Sequence, residues 1–161
     1  MRALALALLA ASASAGPLHA ETPEEWITLG ARVHGGFGAY IPVGIRIGLD
    51  ALQRLDAKPR DVTVLYYDSD KAPCACFADG IALATVATFG ARTMRLAPDK
   101  APDGAMAVIV MRNKKTGEAV KYTVPDTWIP KLAEWNRTLD PRGRYDEVMR
   151  AESLFTVVPE K

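Results

Sequence analysis

The stretch from His34 to Gly90 constrains the fold of this chain more than any other. It opens with His34-Gly35-Gly36-Phe37-Gly38-Ala39-Tyr40, enters helical spacing, crosses a run of β-branched and aromatic residues, and closes with Cys74-Ala75-Cys76-Phe77-Ala78-Asp79-Gly80-Ile81. Glycines 35, 36 and 38 each add backbone entropy cost to a helix, so a break must separate a helix ending near His34 from one starting near Tyr40. In the second helix Ile41, Ile45, Leu49, Leu52 and Leu55 recur at helical spacing, with Arg46, Asp50, Gln53 and Arg54 opposite. Gly44 and Gly48 are costly inside it unless another backbone or a ligand comes close. We read them as a close-packing ridge.

Around this stretch the remaining elements follow from local chemistry. Thr22-Pro23-Glu24-Glu25 has the form of a capping box with proline at the first helical position, which predicts a helix burying Trp26, Leu29 and Val33. Val62 to Tyr67 reads as a buried strand. Asp68 to Cys76 reads as a loop, and Asp79 as the cap of a largely buried helix through Ile81, Leu83, Ala84 and Val86 that ends at Gly90. Strands are expected at Thr93 to Leu96, Ala105 to Arg112 and Glu118 to Val124, the last two joined by the hairpin turn Asn113-Lys114-Lys115-Thr116-Gly117. Asp126 should cap a helix carrying Trp128, Leu132 and Trp135. After a Pro141-Arg142-Gly143 turn come a short helix, Tyr145 to Ala151, and a last strand, Leu154 to Val158. This order of elements fits a single α+β domain with a mixed or mostly antiparallel sheet packed against helices.

The first 20 residues stand outside that domain. Arg2, the apolar run Ala3 to Ala11, and small residues at Ala13-Ser14-Ala15 and Leu18-His19-Ala20 have the pattern of a secretory signal peptide, too short for a membrane span. Residues 21–161 are then the mature domain, with cleavage after Ala15 or Ala20, and the working compartment is periplasmic or extracellular and oxidising. Without Arg2, 19 Lys and Arg face 19 Asp and Glu. Such a neutral chain with scattered cations lacks the basic footprint that nucleic acid or an anionic membrane requires. Arg142 and Arg144 read as a solvated turn.

The glycine-rich helix start, the strand and the Cys-x-x-Asp-Gly segment together resemble the FmdE-like family of formylmethanofuran dehydrogenase proteins. In that family a His-Gly-His-x-Cys-Pro-Gly motif leads into a helix with Gly-x-Arg. A strand, Cys-x-x-Asp-Gly-Ile, Thr-Gly-Cys-Thr-x-Gly-Lys and a Lys-Thr-Gly hairpin follow. Here His34-Gly35, Gly44-Ile45-Arg46, Cys76 with Asp79-Gly80-Ile81, Thr88-Phe89-Gly90 and Lys115-Thr116-Gly117 match, over about Glu25 to Val124. The family's second His falls on Gly36, its Cys-Pro on Gly38-Ala39, its Gly-Cys on Val86-Ala87 and its later Lys on Ala91. The resemblance implies an FmdE-like fold with a metal or ligand cleft at His34, Gly35, Tyr40, Cys76 and Asp79, and an accessory role in one-carbon or metal-cofactor metabolism.

Only His34 and Cys76 survive from the family's His and Cys positions, and zinc sites usually take three or four protein ligands. Cys74 supplies another donor. If the fold brings the loop to the glycine-rich turn, His34, Cys74 and Cys76 make a two-thiolate, one-imidazole set suited to zinc or copper(I). Asp79 is placed to hold a ring nitrogen of His34 or to act as a fourth ligand. In an oxidising compartment the Cys-x-Cys pair is a metal ligand set, a labile disulfide or a buried pair of thiols.

Three functions follow. The first is a binding or accessory protein for a metal ion or small ligand. The second is a thiol-based oxidoreductase or transferase using Cys74 and Cys76, and the third is a homodimerising protein with an apolar patch at Trp128 and Trp135. Motifs for covalent haem, nucleotide phosphates, zinc proteases and serine hydrolases are absent from the sequence.

Overall fold

The computed structural model describes residues 21–161; the expected signal peptide lies outside them. Helix α1 (Pro23–His34) starts with the expected capping box, Thr22 Oγ1 accepting from Glu25 N–H and Glu25 Oε2 accepting from Thr22 N–H. It buries Trp26 and Gly30, while Leu29 and Val33 are 38% and 58% exposed. The buried stripe therefore runs through Trp26, Gly30 and the flanks of Ile27 and Ala31, one position round the helix from the expected face.

Helix α2 (Tyr40–Arg54) is the buried centre of the helical layer, and α3 (Cys76–Thr85) crosses it. At the crossing the two backbones touch. A Cβ on Gly44 would sit 2.1 Å from the carbonyl oxygen of Phe77, and one on Gly80 would sit 2.1 Å from that of Ile41. Glycine is needed because nothing larger fits, so the ridge seats a neighbouring helix.

Five strands form one mixed sheet in the order β2-β1-β3-β4-β5, comprising β1 (Val62–Tyr67), β2 (Met94–Leu96), β3 (Ala105–Asn113), β4 (Ala119–Pro125) and β5 (Thr156–Glu160). β1 and β2 are parallel and all other pairs antiparallel. Register places Tyr66, Ile109 and Tyr122 in one row and Val64, Met111 and Val120 in the next, all buried. These rows join the same core as Ile41, Ile45, Leu52, Phe77 and Ile81. Alternate residues of the opposite face, among them Thr63, Leu65, Tyr67, Val110 and Lys121, line open grooves.

Helices α4 (Ile129–Thr138) and α5 (Pro141–Arg150) brace the helical layer. Arg46 of α2 donates to the carbonyls of Val148 and Ala151 at 2.6 Å each, closing the C-terminal end of α5. Arg144 donates to Phe37 and Asn136 carbonyls, and the Asn136 side chain accepts from Ala39 N–H at 2.7 Å. The glycine-rich turn is thus tied down from α4 and α5.

Several boundaries differ from the sequence expectations. α3 begins at Cys76, and Asp79 lies inside its first turn with its carboxylate engaged elsewhere. It ends at Val86, whose φ of 55° is left-handed, rather than at Gly90. α5 starts at Pro141, capped by Asp140 accepting from Gly143 N–H, so Arg142 and Arg144 lie on a helix and not in a turn. Asp126 opens a short 3-10 turn and its carboxylate accepts from Lys71 Nζ. Trp135 is buried, and half-buried Trp128 packs on it with ring centroids 6.0 Å apart. Among the described residues no helix is long and apolar enough to cross a membrane.

Candidate metal and ligand site

Two helix ends meet at the site. α1 stops where Gly35 takes φ 86° and its N–H bonds the carbonyl of Ala31, which leaves His34 as the last helical residue. Cys76 is the first residue of α3, and Asp79 follows one turn later on the same side. Because α3 is locked against α2 by the Gly44–Gly80 contact, its first turn has a fixed position relative to the rest of the helical layer.

His34 reads both neighbours at once. Its Nδ1 lies 2.7 Å from Asp79 Oδ2, and its Nε2 lies 3.4 Å from Cys76 Sγ. An ionised carboxylate only accepts, so Nδ1 carries the proton and, in the neutral ring, Nε2 presents its lone pair toward the sulfur. Carboxylate–imidazole pairs of this kind fix tautomer and ring orientation at metal sites. Both side chains keep about a third of their surface in water, at 32% for His34 and 40% for Asp79.

Cys74 is half-buried, Cys76 is buried, and the two are joined as a disulfide with Cα atoms 5.3 Å apart. The donor atoms of His34, Cys74 and Cys76 lie within 4.8 Å of one another, a group that could hold a metal ion. The donor types and spacing fit a thiophilic ion once the sulfurs are reduced, since a disulfide sulfur offers no thiolate.

The sequence-selected residues are not all gathered here. His34, Cys74, Cys76 and Asp79 line one open cavity of about 310 Å³. Gly35 adjoins it as the cap of α1. Tyr40 does not line the cavity; it is buried against Phe77, ring centroids 5.4 Å apart, and burial raises its hydroxyl pKa.

The cavity is also lined by residues that the sequence reading does not select for the site: Tyr66 near the end of β1, Phe89, and Met94 and Leu96 of β2. Tyr66 is 2% exposed and its hydroxyl has no hydrogen-bond partner among the described residues. Burial, with a smaller contribution from the Asp68 carboxylate, pushes its pKa well above the usual tyrosine range. Strand alternation is the available signal, because Val62, Val64 and Tyr66 share a face and the last of them carries a polar tip inward.

Residues 33–155 match the family model described as "FmdE, Molybdenum formylmethanofuran dehydrogenase operon". The chain belongs to the FmdE family. The FmdE match runs past Val124, through α4 and α5, and so takes in the arginine and asparagine that fix the glycine-rich turn. No curated protein is significantly similar to the chain.

Proposed function

We propose that this FmdE protein is an exported accessory protein that binds a thiophilic metal ion, zinc(II) or copper(I), through His34 Nε2 and the reduced sulfurs of Cys74 and Cys76. One observation carries the reading. Asp79 engages Nδ1, and the remaining ring nitrogen is turned to Cys76. Bound there, the ion would supply Lewis acidity or would itself be cargo for delivery. Asp79 orients the imidazole, and Gly35 lets α1 end so that the ring reaches the first turn of α3. Export rests on the signal-like leader, and a place in one-carbon metabolism rests on the family description alone.

The test is an anaerobic titration of the reduced protein with zinc(II) and copper(I). One equivalent should bind, and Cys76→Ser and His34→Ala should each lose it. Stoichiometric binding untouched by both substitutions would place the metal elsewhere and end this reading.

A thiol-based oxidoreductase or transferase is the second reading, favoured by Cys76 at the start of α3. The helix N-terminus stabilises a thiolate there. Rates of alkylation of reduced Cys74→Ser and Cys76→Ser at neutral pH separate the two. A slow, equal reaction counts against catalysis, whereas a much faster reaction at Cys76 supports it.

A further inference from the structure

The sheet face opposite the helical core carries two open grooves that differ in charge. One, of about 430 Å³, holds Lys100 and Lys121, and each has an acid: Lys100 Nζ lies 3.0 Å from Asp70 Oδ1, and Lys121 Nζ lies 3.2 Å from Glu160 Oε2. The other, of about 460 Å³, runs over β1 and holds Arg92, Arg95 and Arg112 with no Asp or Glu in its lining. Among the described residues the ion pairs of arginine fall elsewhere, on Arg54, Arg142 and Arg150. The second groove is therefore cationic and uncompensated.

The fold gathers these arginines from separate parts of the chain. Arg95 of β2 pairs with Leu65 of β1, Leu65 with Val110 of β3, and Thr63 with Arg112, so Arg95 and Arg112 stand on the two strands that flank β1 and share its Thr63–Leu65 face. Measured across the strands, their roots are about 10 Å apart, two strand spacings. Arg92 comes from the turn before β2, where its N–H donates to the Phe89 carbonyl and its φ is 58°. Arg112 is oriented by donation from Nη1 to the Gly117 carbonyl, while Arg92 and Arg95 are exposed. Half-buried Thr63, Leu65 and Val110 line the groove between them.

Like charges brought together without an acid repel, and a bound anion relieves that repulsion. Guanidinium forks match carboxylate and phosphate groups bidentately. Three cations make too short a track for a nucleic-acid backbone, whose affinity grows with the number of phosphates met. The volume is that of a small-molecule pocket. We propose that this groove binds a small organic molecule carrying two or more carboxylate or phosphate groups. Arg95 and Arg112 grip it from either side of β1, Arg92 closes the sheet edge, and the carbon body rests on Leu65 and Val110. β2 separates this site from the His34 cleft, since Met94 and Leu96 line the cleft and Arg95 lines the groove. The proposal thus stands apart from the metal reading.

The test titrates the purified protein with fructose 1,6-bisphosphate and with propane-1,2,3-tricarboxylate, followed by NMR shift mapping. At least one of them should bind with Kd below about 1 mM, shifting Thr63, Leu65, Thr93 and Val110, and the tighter of the two identifies phosphate or carboxylate as the recognised group. Acetate should bind at least about tenfold more weakly, because one carboxylate engages one fork. Arg95→Gln should weaken binding about tenfold, the typical strength of a hydrogen bond to a charged group. Arg112→Gln should do the same, but Arg112 also holds Gly117, so the exposed Arg95 gives the deciding variant. Arg137→Gln, at an exposed arginine of α4 outside the groove, should leave affinity unchanged.

No binding of either compound at about 10 mM, equal binding of acetate, or shifts mapping elsewhere would overturn the inference. So would unchanged affinity in Arg95→Gln. An equal loss in Arg137→Gln would also overturn it, because the attraction would then come from the charge of the whole protein and not from this groove.

Discussion

One helix turn separates the tightest place in this protein from one of its more open ones. At Gly80 the backbone of α3 rests on that of α2 with no room for a methyl group. At Cys76 and Asp79 the same helix faces His34 across a half-exposed cleft. The comparison teaches how a small domain fixes a site without burying it. The glycine contact removes freedom from the helix axis, and the donors then need only short side chains to converge.

The largest effect should come from closing the tight region. Gly80→Ala forces a Cβ into a backbone carbonyl, which no rotamer can relieve, so a loss of roughly 3 kcal/mol or more is expected by chemical denaturation. Wild-type stability in this variant would break the comparison, because the α2–α3 contact would then be soft.

The open region should respond in binding and hardly in stability. Asp79→Ala removes the acceptor that orients His34 and should lower metal affinity ten- to a hundredfold in competition titrations. The same variant should unfold within about 0.5 kcal/mol of wild type, since exposed ion pairs contribute little. A large stability loss without change in affinity would reverse the roles assigned here.

A smaller contrast lies between the two buried tyrosines. Tyr122→Phe should cost about 1.5 kcal/mol, because it removes a hydrogen bond to a charged group, and Tyr66→Phe should cost nothing. The smallest effect is expected at Gly36, where an added Cβ meets open space. Gly36→Ala should shift stability by less than about 0.5 kcal/mol.

Much of this arrangement is legible in the sequence where chemistry is local. The Thr22–Glu25 capping box, the Asn113–Gly117 hairpin turn and the break after His34 each depend on residues within a few positions, and each forms as expected. Gly44 reads as a packing contact because glycine in an amphipathic helix has few other uses. The meeting of His34 with Cys76 is accessible only through the family resemblance, since the two lie 42 positions apart.

The features that sequence alone misplaces are set by tertiary contacts. Asp79 has the right residue type for a cap, but its carboxylate is taken by His34, and the helix begins three residues earlier. Val86 ends α3 in a left-handed conformation that a β-branched residue rarely adopts, so Gly90 reads as the better stop. Leu29 and Val33 follow the apolar period of α1 yet remain exposed, because Trp26 and Gly30 set the face that meets Phe37 and Ile41. Tyr66 reads as strand filler; its unpaired hydroxyl emerges only when the cavity beside it is known.

The most direct test of the central claim is the metal content of the protein exported to the periplasm and purified without chelator, measured together with its free thiols. The expected result is about one equivalent of zinc or copper per chain with both sulfurs released as thiols on metal removal, and loss of the metal in Cys76→Ser. A metal-free protein with Cys74 and Cys76 fully oxidised would contradict it, and the His34–Cys76 cleft would then belong to disulfide chemistry.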